Sequence, residues 1–366
     1  MQRRSFLKKA GLTAVAGSAV VAAPAIAESL PKLNWKMTST YGPSLPALFS
    51  TAELFVKMLT EISDGNFNVR LYPVGEIVPG FEVMDAVENR TVEMGQTASY
   101  YFYGKDPSFS VDTAVAFGLN SRQMNAWMYE GDGMKLMREL FATRNIVNFP
   151  FGNTGTQMGG WYRKEINSVD DLKGLKMRTA GFAGEVLARM GVVPQQVPPG
   201  DIYPSLEKGT LDAVEFVGPV DDEKLGLQKV AKYYYYPGWW EGSAQVSLYV
   251  NQDAFNELPK AYQNMVATAA RAASDNMLAI YDSQSPGALR RLIAGGAVLK
   301  AFPRDVMDAS FKTSNELYKE FCEKDERFKR IHDNYMAFRD ELVPWFRVAE
   351  GSYDNYLGIA LANRGK

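Results

Sequence analysis

Four polar side chains sit where apolar stretches end. Gln157 lies in Thr154-Gly155-Thr156-Gln157-Met158-Gly159-Gly160-Trp161, Arg178 closes Leu175-Lys176-Met177-Arg178, Glu215 interrupts Leu211-Asp212-Ala213-Val214-Glu215-Phe216-Val217, and Glu241 follows Tyr236-Pro237-Gly238-Trp239-Trp240. An arginine at a strand end presents a bidentate fork to a carboxylate. Two glutamates beside an amide oxygen form an oxygen-rich site for a hard cation. The other outcome is an Arg178–Glu ion pair that binds nothing, and spacing alone leaves both open.

The remaining chemistry is sparse. No G-x-S-x-G elbow, P-loop, H-E-x-x-H or C-x-x-C occurs, so nucleophilic and zinc-hydrolase mechanisms have little to build on. Gly181-Phe182-Ala183-Gly184 opens a helix and could admit an anion to backbone N–H groups, although most such glycines only start helices. The single cysteine, Cys322, and single histidine, His332, flank the charged segment 323–330. They are expected as ordinary helix-face residues without partners.

The elements that must hold the four residues alternate between strand and helix. Leu33–Thr40 alternates as a strand, and an apolar face from Leu45 to Ile62 follows as a helix. Asn66–Tyr72 is expected as a strand, Phe81–Val92 as a short helix and Glu93–Ser99 as a strand, an order that implies a mostly parallel sheet. One helix is expected over Gln123–Asn145, then the strand Ile146–Phe151 and a crossing at Gly152–Gly155. The pattern restarts with strands Thr156–Arg163, Lys173–Arg178 and Ala213–Val217 and helices Phe182–Met190 and Pro204–Lys208. Ala244–Asn251 returns to the first lobe, a long helix runs from Pro259 to about Leu299, and 310–360 is helical. Ligands bind beyond the carboxyl ends of such strands, so two lobes facing each other imply a cleft.

Composition agrees with a packed two-lobed protein. The 366 residues are 46% hydrophobic and 22% charged, more chain than one core usually holds. With Arg3, Arg4, Lys8 and Lys9 set aside from 40 Lys+Arg against 42 Asp+Glu, the rest carries a formal −6. That diffuse acidity argues against nucleic acid as a partner. Residues 1–27 read as a removable export signal. Arg3-Arg4-Ser5-Phe6-Leu7-Lys8 matches a twin-arginine leader, and Ala25-Ile26-Ala27 a cleavage site. The expected mature chain starts at Glu28 and lies in the periplasm.

The runs 153–161, 172–178 and 201–213 resemble the periplasmic solute-binding subunit of TRAP transporters. Tyr100-Tyr101, Gly104-Lys105-Asp106-Pro107, Pro194-Gln195-Gln196, Asp221-Asp222-Glu223-Lys224 and the segment 233–242 resemble the branch that binds 2-oxo acids with a cation. The resemblance covers essentially the whole mature chain. It implies a two-lobed α/β periplasmic binding protein, with lobe I from 28–155 and 245–300, and lobe II from 156–244 and 301–366 with the C-terminal helices. By resemblance, Tyr100, Tyr101, Asn153, Arg178, Glu215 and Trp240 contact the substrate. Gln157, Glu215, Glu241 and the carbonyl of Phe216 hold the cation. Phe216 departs from the tryptophan of that branch, which alters the pocket wall and spares the carbonyl.

Those residues and a substrate carboxylate leave a charge of about −2 in a closed site, unfavourable without a cation. Charge counting favours calcium and the resemblance favours sodium. The resemblance further implies a binding protein and not an enzyme, TRAP membrane subunits as partners, and a homodimer as one use of the C-terminal helices. The rival readings are a carrier of lactate as its calcium salt or of another carboxylate, and an exported enzyme using Glu215 or Glu241 as a base.

Overall fold

A computed structural model describes residues 30–364; the expected leader lies outside them. The strands in chain order are β1 (Leu33–Ser39), β2 (Phe67–Tyr72), β3 (Met94–Thr97), β4 (Ile146–Asn153), β5 (Trp161–Tyr162), β6 (Lys176–Arg178), β7 (Val193–Gln195), β8 (Ala213–Val214), β9 (Tyr233–Tyr236), β10 (Gln245–Asn251) and β11 (Val298–Ala301). They form two sheets, β2-β1-β3-β10-β4 and β11-β9-β5-β8-β6-β7.

The first sheet begins as expected. The helix Pro46–Ile62, with proline at its start, buries Ala52, Phe55 and Leu59 and returns the chain so that β1 pairs in parallel with β2. β1 also pairs in parallel with β3. The sheet is nevertheless mixed rather than mostly parallel, because β10 inserts antiparallel between β3 and β4. The cause is the return of the chain from the second lobe, which delivers β10 from the opposite end.

In the second sheet, β6 pairs in parallel with β7 and β8, and β9 with β11, while β5 runs antiparallel to β8 and β9. The expected strand Thr156–Arg163 shortens to β5. Its earlier part forms single bonds to several loops: Gln157 N–H donates to Glu241 O (3.1 Å), Met158 N–H to Val217 O (3.0 Å) and Gly159 N–H to Tyr235 O (2.8 Å). Lys173–Arg178 and Ala213–Val217 shorten likewise, to β6 and β8.

The helix expected over Gln123–Asn145 is two, Ser121–Glu130 and Gly133–Ala142. The break at Gly131–Gly133 lets the backbone lie against Trp127, whose ring atoms would be 2.7 Å from a Cβ at Gly133. Phe81–Val92 contains a short 3-10 turn and then the helix Val83–Glu88. The long helix Lys260–Ala294 packs against β4, the helix Pro46–Ile62 and the helix Pro219–Leu225, so it spans both lobes. The helices Arg304–Lys324 and Glu326–Phe346 lock onto the loop 115–119, where Ala116 N–H donates to Tyr318 (2.8 Å) and Leu119 N–H to Tyr335 (2.7 Å). No helix among the described residues is long and apolar enough to cross a membrane.

Candidate functional site

The register of the second sheet brings Arg178 and Glu215 together. Arg178 is the last residue of β6 and lies beside Val214 of β8, and Glu215 N–H donates to Arg178 O (3.1 Å). Glu215 therefore leaves β8 at the strand end where the guanidinium stands. Gly160, at φ +83°, permits β5 to approach this point, since a Cβ there would collide with Val214 O. Neither Arg178 nor Glu215 is exposed to solvent.

Arg178 Nη1 donates to Glu215 Oε1 (2.5 Å) and to Glu215 O (2.7 Å), and Nε to Val197 O (3.3 Å). The ion pair left open by the sequence thus exists, but it uses only part of each group. Arg178 Nη2 and Glu215 Oε2 are buried with no partner. The guanidinium carbon lies 5.4 Å from the centroid of Phe216.

Gln157 and the loop carrying Glu241 hold each other in place: Gln157 N–H donates to Glu241 O, and Gly238 N–H donates to Gln157 O (2.9 Å). The Gln157 amide donates to Thr154 Oγ1 (3.2 Å). Gln157 Oε1 and Glu241 Oε2 remain without partners in the interior. Leaving such an oxygen buried and unpaired costs about 1–3 kcal/mol each, more when it is charged.

Tyr100 and Tyr101 come from the other sheet, on the 3-10 turn Ser99–Phe102 after β3, with rings stacked at 4.7 Å. Tyr100 lines a narrow cavity of about 10 Å³ with Tyr101, Gln157 and Phe216. It lines a second cavity of about 10 Å³ with Trp240 and Glu241. Gln196 Nε2 donates to Tyr101 O (2.9 Å), tying the segment after β7 to the tyrosine turn. Asn153 ends β4, accepts from Gly155 N–H (2.9 Å) and leaves Nδ2 unpaired; Trp240 Nε1 is also buried and unpaired.

The electrostatics follow from this burial. Burial pushes Glu215 up to about 7, against the pull of Arg178. Burial and then repulsion from Glu215 hold Glu241 well above the usual carboxylate range. Burial works against the charge on Arg178, yet Glu215, Tyr101, Tyr100 and Glu241 together outweigh it and keep the arginine cationic. Tyr41, Tyr100 and Tyr101 are raised by burial, so all three are phenols able to donate to an anion. Two carboxylates beside one guanidinium form a site whose charges are incomplete.

The fold gathers most of the expected residues into this one region. It adds Tyr41, which lines the same cavity as Tyr101, and Asp222, which accepts from Trp161 Nε1 (3.0 Å) and Tyr234 (2.7 Å) behind β5. In the sequence Tyr41 had only the signal of a strand break before Gly42-Pro43. Asp222 had only its place in a charged motif.

A two-lobed α/β fold with oxygen acceptors and an arginine buried between the lobes defines a solute-binding protein. The profile of "Bacterial extracellular solute-binding protein, family 7" matches residues 38–325. The chain belongs to this family, the solute-binding proteins of TRAP transporters. It is 44% identical, over 97% of its length and 99% of the relative's, to a monocarboxylate 2-oxoacid-binding periplasmic protein of Nostoc. A TRAP solute-binding protein of Bordetella bronchiseptica, a mixed-occupancy dimer with copurified calcium and picolinate, is 49% identical with a TM-score of 0.90; the match covers 92% of this chain and 100% of that one. A TRAP solute-binding protein of Pseudoalteromonas atlantica with bound sodium and pyruvate is 37% identical with a TM-score of 0.86, covering 88% and 99%.

Proposed function

We propose that the protein captures a small 2-oxo monocarboxylate, pyruvate being the simplest, together with a cation, and delivers both to the membrane subunits of a TRAP transporter. One observation carries the reading. Arg178 Nη2 and the oxygens Gln157 Oε1, Glu215 Oε2 and Glu241 Oε2 are all buried and unpaired. Arg178 and Glu215 form an ion pair, Gln157 and Glu241 are joined through their backbones, and Glu215 and Arg178 both act on the charge of Glu241. A carboxylate answers the nitrogen, and a hard cation answers the oxygens.

In this reading Gln157, Glu215, Glu241 and the Phe216 carbonyl hold the ion, sodium or else calcium. Arg178 takes the substrate carboxylate, with Asn153, Trp240 and Glu215 around it. Tyr100 and Tyr101 approach from the lobe formed by 28–155 and 245–300, and the lobe formed by 156–244 and 301–366 carries the cation site. Closure is a hinge motion, and the Gln196 bond to Tyr101 is part of the closed state. The protein acts by binding without catalysis, in the periplasm, after export by a twin-arginine leader.

A homodimer is part of the proposal. Trp345, Val348 and Tyr356 are exposed on the last helices, with Tyr356 at 74%, a pattern suited to burial against a second copy. Light scattering of the mature chain reads this directly, and a monomer at every concentration would refute it.

Thermal-shift titration with pyruvate, longer 2-oxo acids, lactate and succinate, each in sodium, potassium and calcium buffers, tests the central claim. At a ligand concentration of about 100 times Kd, binding adds roughly 2.7 kcal/mol of stability and raises Tm by several degrees. The expected shift is for 2-oxo acids and depends on one cation, because each ligand strengthens the other by the same factor. A shift for lactate in calcium alone would favour the hydroxy-acid reading. Equal shifts in every buffer would remove the cation from the proposal.

A further inference from the structure

Cys322 and His332, expected as isolated helix-face residues, meet in the structure. The helices Arg304–Lys324 and Glu326–Phe346 join at Asp325, whose carboxylate caps the second by accepting from Arg327 N–H (2.8 Å) and Phe328 N–H (3.1 Å). This tight corner folds the two helices against each other. Cys322 on the first helix and His332 on the second therefore share one side of the pair, and Cys322 Sγ lies 3.4 Å from His332 Nδ1. Asp333 Oδ1 lies 3.4 Å from the same nitrogen. The ligand-forming atoms of all three residues fall within 4.8 Å of one another.

We infer that Cys322, His332 and Asp333 form a three-ligand site for a thiophilic divalent cation of the zinc type, separate from the solute cleft, with a fourth coordination position open to solvent. Around a tetrahedral zinc ion, normal bond lengths put sulfur and nitrogen about 3.6 Å apart, and nitrogen and oxygen about 3.4 Å apart. The two separations from Nδ1 match these edges. The sulfur–oxygen separation, within 4.8 Å, is wider than the tetrahedral edge of about 3.6 Å, so loading requires the exposed Asp333 side chain to turn inward. Thiolate and carboxylate together neutralise a divalent ion.

The surroundings hold the ring and leave the oxygen available. The His332 imidazole is stacked on Phe328 at 18° and leans against Tyr318, with centroids 5.7 and 5.2 Å away. Asp333 uses Oδ2 to accept from Lys329, which leaves Oδ1 turned to the histidine. A single proton on Nδ1 serves only one of the sulfur and oxygen contacts well, whereas a cation uses a lone pair from all three. Burial pushes the Cys322 thiol up to about 11, and burial also lowers His332. Metal binding must displace the thiol proton into solvent, and loading weakens as pH falls. Lys329 and Arg339 are the cations whose fields act on His332, and Lys329 is the direct competitor for Asp333.

The test uses the full mature chain and cobalt(II), with zinc as competitor. A near-ultraviolet thiolate-to-cobalt band that zinc abolishes is expected. Cys322→Ser should remove the band, and His332→Gln should weaken cobalt binding by about tenfold or more. Because the chain has one cysteine, alkylation gives a second reading: zinc should slow the reaction of Cys322 with a thiol reagent in the folded wild type. These variants should leave 2-oxo acid binding within a few-fold of wild type, since none of the three residues lines the solute cleft. Absence of a thiolate band in the wild type, together with an alkylation rate that zinc leaves unchanged, would overturn the inference.

Discussion

Two buried carboxylate clusters in this molecule are handled in opposite ways. Asp112, beneath the first sheet, accepts from Ser99 (2.6 Å) and Ser247 on one oxygen and from Asn148 (3.1 Å) and Gln245 (3.2 Å) on the other. Both oxygens are satisfied from within the fold. Glu215 and Glu241 are equally buried, yet each keeps an oxygen with no partner. What separates the two is not burial but whether the protein completes the hydrogen bonding itself, and Asp221 and Asp222 beside the site likewise keep one unpaired oxygen each.

Asp112 also joins two regions beside the candidate site. Ser99 begins the turn carrying Tyr100 and Tyr101, while Gln245 and Ser247 belong to β10, the strand returning from the other lobe. The self-satisfied network thus ties the tyrosine turn to β10.

The comparison is broken most sharply at Arg178. Replacing it with alanine should cost about 2–5 kcal/mol of ligand binding, the scale for a desolvated ion pair. Calorimetric affinity within a few-fold of wild type would move Arg178 to the structural side. Asp112→Ala should act in the reverse sense, lowering unfolding stability by about 1–3 kcal/mol as its donors lose their acceptor. Denaturant melts read that loss, and the cation dependence of ligand stabilisation should survive in the variant. If that dependence vanished, the two clusters would be one functional unit.

The smallest effect is the pH profile of the ligand-free protein. Burial raises Glu215 and Asp221 to about 7 and Asp222 to about 6, whereas unfolded carboxylates titrate near about 4. Between those values the folded state holds protons that the unfolded state has lost. Stability contributed by these groups is therefore present at low pH and lost as pH rises towards about 7. Thermal melts across that window should show the decline in ligand-free protein, and cation plus acid should offset more of it as pH rises. A ligand-free stability that climbs steadily to neutrality would show that these carboxylates are ionised and compensated.

Much of this arrangement was legible in the sequence because it rests on local rules. The apolar stripe of Pro46–Ile62 and the strands β1 and β10 were legible from period and punctuation. Arg178 and Glu215 stood out because charge at the end of an apolar strand is unusual. Other features depend on contacts that no local pattern encodes. The loop-by-loop bonding of Thr156–Gly160 replaces a ladder with tertiary partners. In the broken helix 121–142, Gly131-Asp132-Gly133 was visible, but the reason for the break is the indole of Trp127 packed against it. Tyr41 and the meeting of Cys322 with His332 arise from long-range packing and helix pairing.

The insertion of β10 between β3 and β4 has a consequence for assembly. The first sheet cannot close around its central strand until residue 251 has left the ribosome, since β10 supplies the pairing partner for both neighbours. Until then β3 and β4 present open edges, and the chain must form contacts of long sequence separation, which are slow and exposed to aggregation. The segment 156–244, which carries Arg178 and Glu215, is thus synthesised as an interruption of the first sheet, and the joint between the lobes is the last part of that sheet to form.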